Sequence, residues 1–377
     1  MDTQKVITHV RQNFQEPEAF IPLHVPRFEG NERKYVLDCL DSTYVSSVGE
    51  YVNRFEAETA AYTGSNHAIV TVNGTAALHM ALILAGVKSG DLVITQALSF
   101  VATTNAISYT GAQPVFLDVD KHTMGLSPAA VQQFLDEQCD GNIHKATGKR
   151  IAAIVPMHTF GHPCDMEGLM ALSRKHYIPL IEDAAESLGS FYKGKHTGTL
   201  GQSGTLSYNG NKTITTGGGG MILIQDEELA LRAKHLTTQS KVPHRWEYVH
   251  DNTGYNYRMP NINAALGVAQ LEQLPMYLDK KRALAMSYKQ LLSDSNIRFM
   301  DEPDGCKSNF WLVAIALQDR AARDKFLQET NDAGVMTRPI WALLNSLPMY
   351  TGAIQDDLTV SRWLEDRIVN LPSSVIL

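Results

Sequence analysis

Cysteine is scarce in this chain: Cys39, Cys139, Cys164 and Cys306 are the only four, widely spaced and without a CxxC pair. A disulfide framework or a structural zinc module needs more, so reduced thiols in a cytoplasmic enzyme are expected. Basic clusters are missing as well. No run of five Lys or Arg occurs and the formal net charge is −7, which excludes the concentrated basic face of a nucleic-acid binder. The longest apolar run, Ala76 to Val87, is broken by His79 and Gly86 and is too short to span a bilayer. The first residues lack the basic stretch and apolar core of a signal peptide, and none is expected. Neither GxxxxGK[ST] nor a GxGxxG after the first strand is present, which argues against an NTPase and an NAD enzyme. The remainder is ordinary globular material, 44% hydrophobic and 19% charged over 377 residues, enough for a large domain and a smaller one.

The opening ~20 residues are polar and read as a helical arm or frayed lead-in. Ile21 to Pro26 is extended, because residues before proline are pushed toward β. Helical spacing follows at Asn31–Leu40 and Tyr51–Tyr62. Then short β-branched runs alternate with helical ones. Strands are expected at Ala68–Val72, Leu92–Thr95, Pro114–Val119, Ile151–Pro156, Pro179–Asp183, Gly204–Tyr208 and Met221–Gln225. Helices are expected at Thr75–Ala85, Thr103–Tyr109, Pro128–Gln138, Met166–His176 and Asp226–Leu236. That rhythm specifies a three-layer α/β domain around a mainly parallel sheet. Two long helices, Asn261–Leu274 and Tyr277–Leu292, change the pattern, and a strand at Trp311–Ala316 and a helix at Arg320–Ala333 follow. The expected division is an arm plus large domain over 1–269 and a smaller α+β domain over 270–377.

Chemistry concentrates where strands of such a sheet end. Lys212 is the sole charge between Thr205 and Met221, in a polar run closed by Gly217–Gly220. A desolvated amine beside close-packed backbone suits a Schiff-base nucleophile. Asn73-Gly74-Thr75 lies between a strand and a helix, where free N–H groups attract phosphate; a simple helix cap is the plainer reading. Asp183 closes an apolar strand, where a carboxylate needs a cationic partner, either a protonated ring nitrogen or a basic side chain. Glu186 is near enough to serve the same ligand, and Phe100 can stack on a flat ring or sit in the core. His158, His162 and Cys164 invite a zinc reading but lack a further well-spaced ligand. Phosphate seat, ring acid, aromatic face and lone amine together are the requirements of pyridoxal phosphate.

With these residues in hand, the chain resembles the sugar-nucleotide aminotransferases of the DegT/DnrJ/StrS group, which have the aspartate-aminotransferase (type I) fold. The matching motifs run in order: Asn73-Gly-Thr-Ala-Ala-Leu78, Ser99-Phe-Val-Ala102, Pro156-Met-His158, Glu182-Asp-Ala-Ala-Glu186, Ser207-Tyr-Asn-Gly-Asn-Lys212, Gly254-Tyr-Asn-Tyr-Arg258 and Thr337-Arg-Pro339. The resemblance implies that Lys212 binds the cofactor aldehyde as an imine and that Asp183 pairs with the pyridinium nitrogen. Phe100 would stack on the ring, Glu186 would lie near its hydroxyl, and Gly74, Thr75 and Ser207 would hold the phosphate. Asn256 would reach the phosphate from a neighbouring subunit, making a homodimer with shared sites. Ser46, His158, Lys241 and Arg338 would line the nucleotide-sugar pocket.

The stretches Lys241–Glu247 and His158–His162 look most like the legionaminic acid and bacillosamine enzymes. Those aminate C4 of UDP-4-keto-6-deoxy-N-acetylglucosamine with glutamate, through a pyridoxamine phosphate form. Another nucleotide-sugar 3- or 4-aminotransferase, or a pyridoxal-phosphate-dependent sugar dehydratase, is the alternative; dehydratase relatives carry histidine in place of Lys212. A non-catalytic regulator on this fold and a metallohydrolase built on His158, His162 and Cys164 are the rivals from other classes. Gly218 stands where many members carry Glu, and Asn73 replaces a frequent Ser. The short stretch after Ser374 leads one to expect a final helix absent or differently built.

Overall fold

The computed structural model describes residues 3–376. Its α-helices, in order, are α1 (Thr3–Phe14), α2 (Glu32–Asp41), α3 (Glu50–Thr63), α4 (Gly74–Leu84), α5 (Val101–Tyr109), α6 (Pro128–Gln138), α7 (Met166–His176), α8 (Glu227–Thr237), α9 (Asn261–Leu292), α10 (Arg320–Asp332) and α11 (Thr359–Glu365). The main strands are β1 (His67–Thr71), β2 (Leu92–Gln96), β3 (Gln113–Leu117), β4 (Ile151–Val155), β5 (Ile181–Asp183), β6 (Ser203–Ser207) and β7 (Gly220–Ile224). Helix starts follow the capping residues: Asn73, Ser127, Asp165 and Asp226 each accept a backbone N–H from the first turn of α4, α6, α7 and α8.

Strand pairing gives β1-β7-β6-β5 and β4-β2-β3. Parallel bridges Ile154–Leu180 and Met157–Asp183 join the two runs into one sheet. All neighbours are parallel except around β7, which runs against both β1 and β6. Strands β2, β4 and β7 are buried at every residue, as expected where helices cover both faces. A second sheet, ordered Arg298–Phe299, Val313–Ala316, Ile368–Leu371 and Arg338–Pro339, is built from the C-terminal part. Ile354–Gln355 returns to pair in parallel with β3.

Of the two readings of the N-terminal arm, the helical one holds: Val6, Ile7 and Val10 of α1 are buried with Leu284, Tyr288 and Phe310. One expectation is corrected. The two long helices are one, α9, with Pro275 inside it. Proline there removes a hydrogen bond and costs about 3 kcal/mol. Leu271, Leu274 and Tyr277, all buried beside it, offset that cost by packing. The expected boundary at 269/270 falls within this helix. No helix among the described residues is long and apolar enough to cross a membrane.

Asp118, just past β3, ties the sheet to the C-terminal part. Its carboxylate accepts the Val360 and Ser361 amides and the Ser361 hydroxyl, at 2.7, 2.7 and 2.6 Å. Truncation would leave these donors buried and unpaired. The expected outcome for Asp118→Ala is a loss of about 2–4 kcal/mol, read as an earlier urea midpoint.

Candidate active site

β1, β2, β5 and β6 end on one edge of the sheet, and β7, being reversed, begins there. That geometry brings Gly74, Thr75, Phe100, Asp183, Glu186, Ser207 and Lys212 around one cavity of about 290 Å³, with Gly218 and Gly219 on its wall. These are seven of the site residues expected from sequence. They come from segments more than a hundred residues apart and meet because the strand ends do.

The phosphate side depends on close backbone approach. A Cβ on Gly220 would stand 2.5 Å from the Asn73 carbonyl, and one on Gly74 would stand 2.8 Å from Ser207 Cβ. Glycine at both positions lets the start of α4 sit directly against β6 and β7. The Asn73 side chain is engaged as a cap, accepting the Ala76 amide at 2.8 Å. Gly74, Thr75 and Ser207 are therefore the groups left to meet an anion at the helix N-terminus.

On the acid side, Asp183 accepts the Thr103 hydroxyl at 2.7 Å and the Ala185 amide at 3.2 Å. Among the described residues it makes no ion pair with Lys, Arg or His. Burial pushes its carboxyl up, with the Thr103 hydroxyl and the Ala185 amide acting the other way. A cationic ring nitrogen is the partner such a group would take. Glu186 is also raised by burial; it accepts the Phe160 amide at 2.9 Å and lies 3.3 Å from Lys212 Nζ. Phe100, 46% exposed at the start of α5, presents its ring to the cavity 6.2 Å from the Trp341 ring. Anion seat, buried acid, aromatic face and amine thus fit pyridoxal phosphate: Gly74, Thr75 and Ser207 would hold its phosphate, Asp183 its ring nitrogen and Lys212 its aldehyde carbon.

The remaining expected site residues are not brought to this cavity. His158 is 0% exposed and lies behind it. Burial lowers the His158 pKa while Cys164 and Glu182 raise it, to about 10. Yet the Cys164 amide points at Nδ1 from 3.1 Å and leaves no room for a proton there, so the ring is the neutral tautomer whose Nε2–H donates to Glu182 at 3.0 Å. With both nitrogens engaged and no exposed surface, it cannot line a sugar pocket. Cys164 donates to the Met157 carbonyl at 3.2 Å, and His162 sits edge-on to Phe310. Arg338 is exposed and bonds Asn331 and its own neighbour's carbonyl. Lys241 lines a separate groove with Ser47, His244, Arg245 and Arg258. Ser46 is exposed nearby, its carbonyl accepting the Asn261 amide, and Asn256 is exposed in a bridge to Thr238.

Among the lining residues not foreseen are two tryptophans: Trp311, with Lys212 Nζ 3.9 Å from its ring centroid, and Trp341. Thr103, which anchors Asp183, was also not foreseen. A signal existed, since only four tryptophans occur and one directly follows the Thr337-Arg-Pro339-Ile340 stretch.

Comparison with known proteins agrees with this architecture. A family model described as the DegT/DnrJ/EryC1/StrS aminotransferase family matches residues 26–377. A GDP-perosamine synthase from Escherichia coli O157:H7 is 40% identical over 94% of this chain and 93% of its own. One from Caulobacter vibrioides is 37% identical, again over 94% and 93%. The crystal structure of the aminotransferase TlmJ from Streptoalloteichus hindustanus superposes with a TM-score of 0.86 at 29% identity, covering 94% of each chain.

Glu182 anchors the site from behind, accepting the Gly198, Leu200 and Gly201 amides at 2.8, 2.6 and 2.7 Å. Burial alone would raise its carboxyl, but the His158 donor and the Gly198 and Gly201 amides hold it below the ordinary 4.5. That stabilisation is present above the ordinary value and is lost as pH falls through the folded-state value. Glu182→Gln should therefore cost about 3 kcal/mol at pH 7, and the gap from wild type should narrow below about pH 4. Denaturation midpoints across pH read both. Asp183→Asn should retain the fold but lower turnover by on the order of 10²-fold or more, with weakened cofactor retention read by the visible absorbance of the dialysed enzyme.

Proposed function

Because the chain belongs to the DegT/DnrJ/EryC1/StrS aminotransferase family, we propose that it carries an amino group from glutamate to the keto carbon of a nucleotide-linked deoxy-sugar. That it is a pyridoxal-phosphate-dependent sugar aminotransferase follows from membership; donor, acceptor and residue roles are the proposal. The observation that supports it is the convergence of Gly74, Thr75, Asp183, Ser207 and Lys212 on one cavity. When bound, pyridoxal phosphate supplies an aldehyde that holds the amino group and a protonated ring that draws electrons from the neighbouring carbon. Asp183 keeps positive charge at the ring nitrogen from a buried position, where the interaction is strongest. Gly74, Thr75 and Ser207 fix the anion and so the orientation of everything beyond it. Lys212 Nζ is the base that takes the α-proton from glutamate, and Glu186 receives the amine in a hydrogen bond when it swings back.

For the acceptor, a GDP-linked keto-sugar comes first, because two GDP-perosamine synthases align over nearly the whole chain. The second reading, UDP-4-keto-6-deoxy-N-acetylglucosamine aminated at C4 toward legionaminic acid or bacillosamine, is favoured by the largely exposed Lys241–Glu247 stretch. We propose a homodimer in which the partner's groove, with Ser46, Lys241 and Asn256, completes each cavity. Under this reading the cofactor-holding part is 1–269, the smaller part is 270–377, and the enzyme works in the cytoplasm, where nucleotide sugars are made.

Incubating the enzyme with glutamate and a panel of GDP-, UDP- and dTDP-linked keto-sugars, with mass and NMR analysis, identifies the acceptor. Formation of 2-oxoglutarate in step with an amino-sugar is expected. A deoxy-sugar formed without consumption of glutamate would point to a dehydratase instead. Lys212→Ala should leave no measurable turnover, and borohydride reduction of the wild type should place the pyridoxyl mass on Lys212. The label on another lysine would end the assignment.

A further inference from the structure

Among the described residues Lys281 is the most deeply buried lysine outside the cavity, 1% exposed on α9, and it pairs with no carboxylate of theirs. Its Nζ donates instead to three neutral acceptors: His24 Nε2 at 3.0 Å, the Trp311 carbonyl at 3.1 Å and the Ser373 carbonyl at 2.5 Å. An ammonium has three N–H groups, and each has one acceptor. His24 is held well below its ordinary value by burial and then by Lys281, so its ring is neutral and able to accept. Burial pulls Lys281 itself down to about 7. One side chain thus ties the N-terminal extended segment, the strand entry at Trp311 and the C-terminal segment to the long helix.

Trp311 is the member of this junction that reaches the cavity. Its carbonyl is held by Lys281 and its amide donates to Asn309 Oδ1 at 2.8 Å. Asn309 in turn donates to the Glu186 and Leu188 carbonyls, both at 2.9 Å. The indole N–H donates to the Asn211 carbonyl at 2.7 Å, and the ring centroid is 3.9 Å from Lys212 Nζ. With both ends of its backbone fixed, the indole has one place to lie, across the face of the amine.

We propose that Lys281 is a positioning residue for amino-group transfer: by fixing the Trp311 carbonyl between the two chain ends, it sets the indole ring against Lys212. The inference rests on the reading of Lys212 as the reacting amine. A ring face stabilises an ammonium and restricts where it can swing. Losing that contact should lower kcat by about threefold to tenfold, the range of one such contact, while the KM for glutamate stays within about twofold.

The test is a double-mutant cycle of Lys281→Met and Trp311→Leu in the full-length holoenzyme, assayed well below the melting temperature of each variant. Each single variant should show the fall in kcat, and the double variant should fall no further, because both remove the same contact. Acrylamide quenching of tryptophan emission gives a second readout. Lys281→Met should be quenched more than wild type, and the increase should vanish when Trp311→Leu is added. If Lys281→Met is not recovered folded, Lys281→Arg serves with the same expectation, since no nitrogen of a planar guanidinium carries the three N–H groups that Lys281 Nζ sends to its three acceptors. Wild-type kcat in the Lys281 variant, additive losses, or unchanged quenching would each overturn the proposal. Turnover by Lys212→Ala would instead sink the reading of the amine, and the quenching cycle would still report on the Lys281–Trp311 link.

Discussion

A strand sends successive side chains to opposite faces, so Glu182 and Asp183, adjacent at the end of β5, cannot share partners. Both are buried, and the cost of burying a carboxylate has to be met separately on each side. Glu182 meets it with backbone amides from the 198–201 loop and with neutral His158, a fully committed set that leaves nothing for a ligand. Asp183 has only a hydroxyl and an amide. That imbalance makes one acid a structural anchor and the other an electrostatic demand on whatever enters the cavity. The rest of the site is arranged around this demand: Thr103 reaches across from α5, the glycines bring α4 against the sheet, and the 208–219 loop returns Lys212 over the same edge.

The sheet's single reversed strand matters for the same reason. Had β7 run parallel to β6, a crossover helix would have carried its start to the opposite edge. Reversal keeps Gly218 and Gly219 beside Ser207 and beneath the mouth of α4. Each of β1, β2, β5 and β6 then supplies one functional group at its end, without any long excursion of the chain. Rigid elements rather than flexible loops therefore hold most of the cofactor side.

How much of this could be read beforehand depended on local signals. Strand and helix positions followed from apolar periodicity and caps, and the α6 and α7 spans agree with the structure to the residue. Six of the seven cavity residues were legible because a buried acid, a glycine-flanked helix start, an aromatic at a strand-to-helix junction and an isolated lysine are each marked in their own few residues; Ser207 followed only from the family resemblance. His158 was misread because a histidine in a loop carries no periodic mark of which way it faces. Only the loop amide of Cys164 and the carboxylate of Glu182, one of them 24 residues away, turn it inward. The split of α9 failed for a related reason: Pro275 is a local stop signal, and packing of α2 and α3 along the helix is not local. Trp311 and Trp341 were not read as cavity residues because they belong to the C-terminal part; Trp341 at least follows the Thr337-Arg-Pro339 motif, whereas nothing around Trp311 points to a strand edge about a hundred residues earlier.

The two tryptophans also separate the tasks of the site. Within one subunit the residues that would grip the cofactor come from 73–219, whereas the two tryptophans facing it come from positions 311 and 341. Phe160 packs between the two indoles, 6.4 Å from one ring and 4.9 Å from the other, and joins the wall to the loop after β4. A cavity of about 290 Å³ can hold a small cofactor and a reacting carbon, but a nucleotide diphosphate needs several hundred Å³ more. A nucleotide diphosphate would then extend past this cavity. Chains that share every residue of the cofactor side can therefore still differ in the sugar nucleotide they accept.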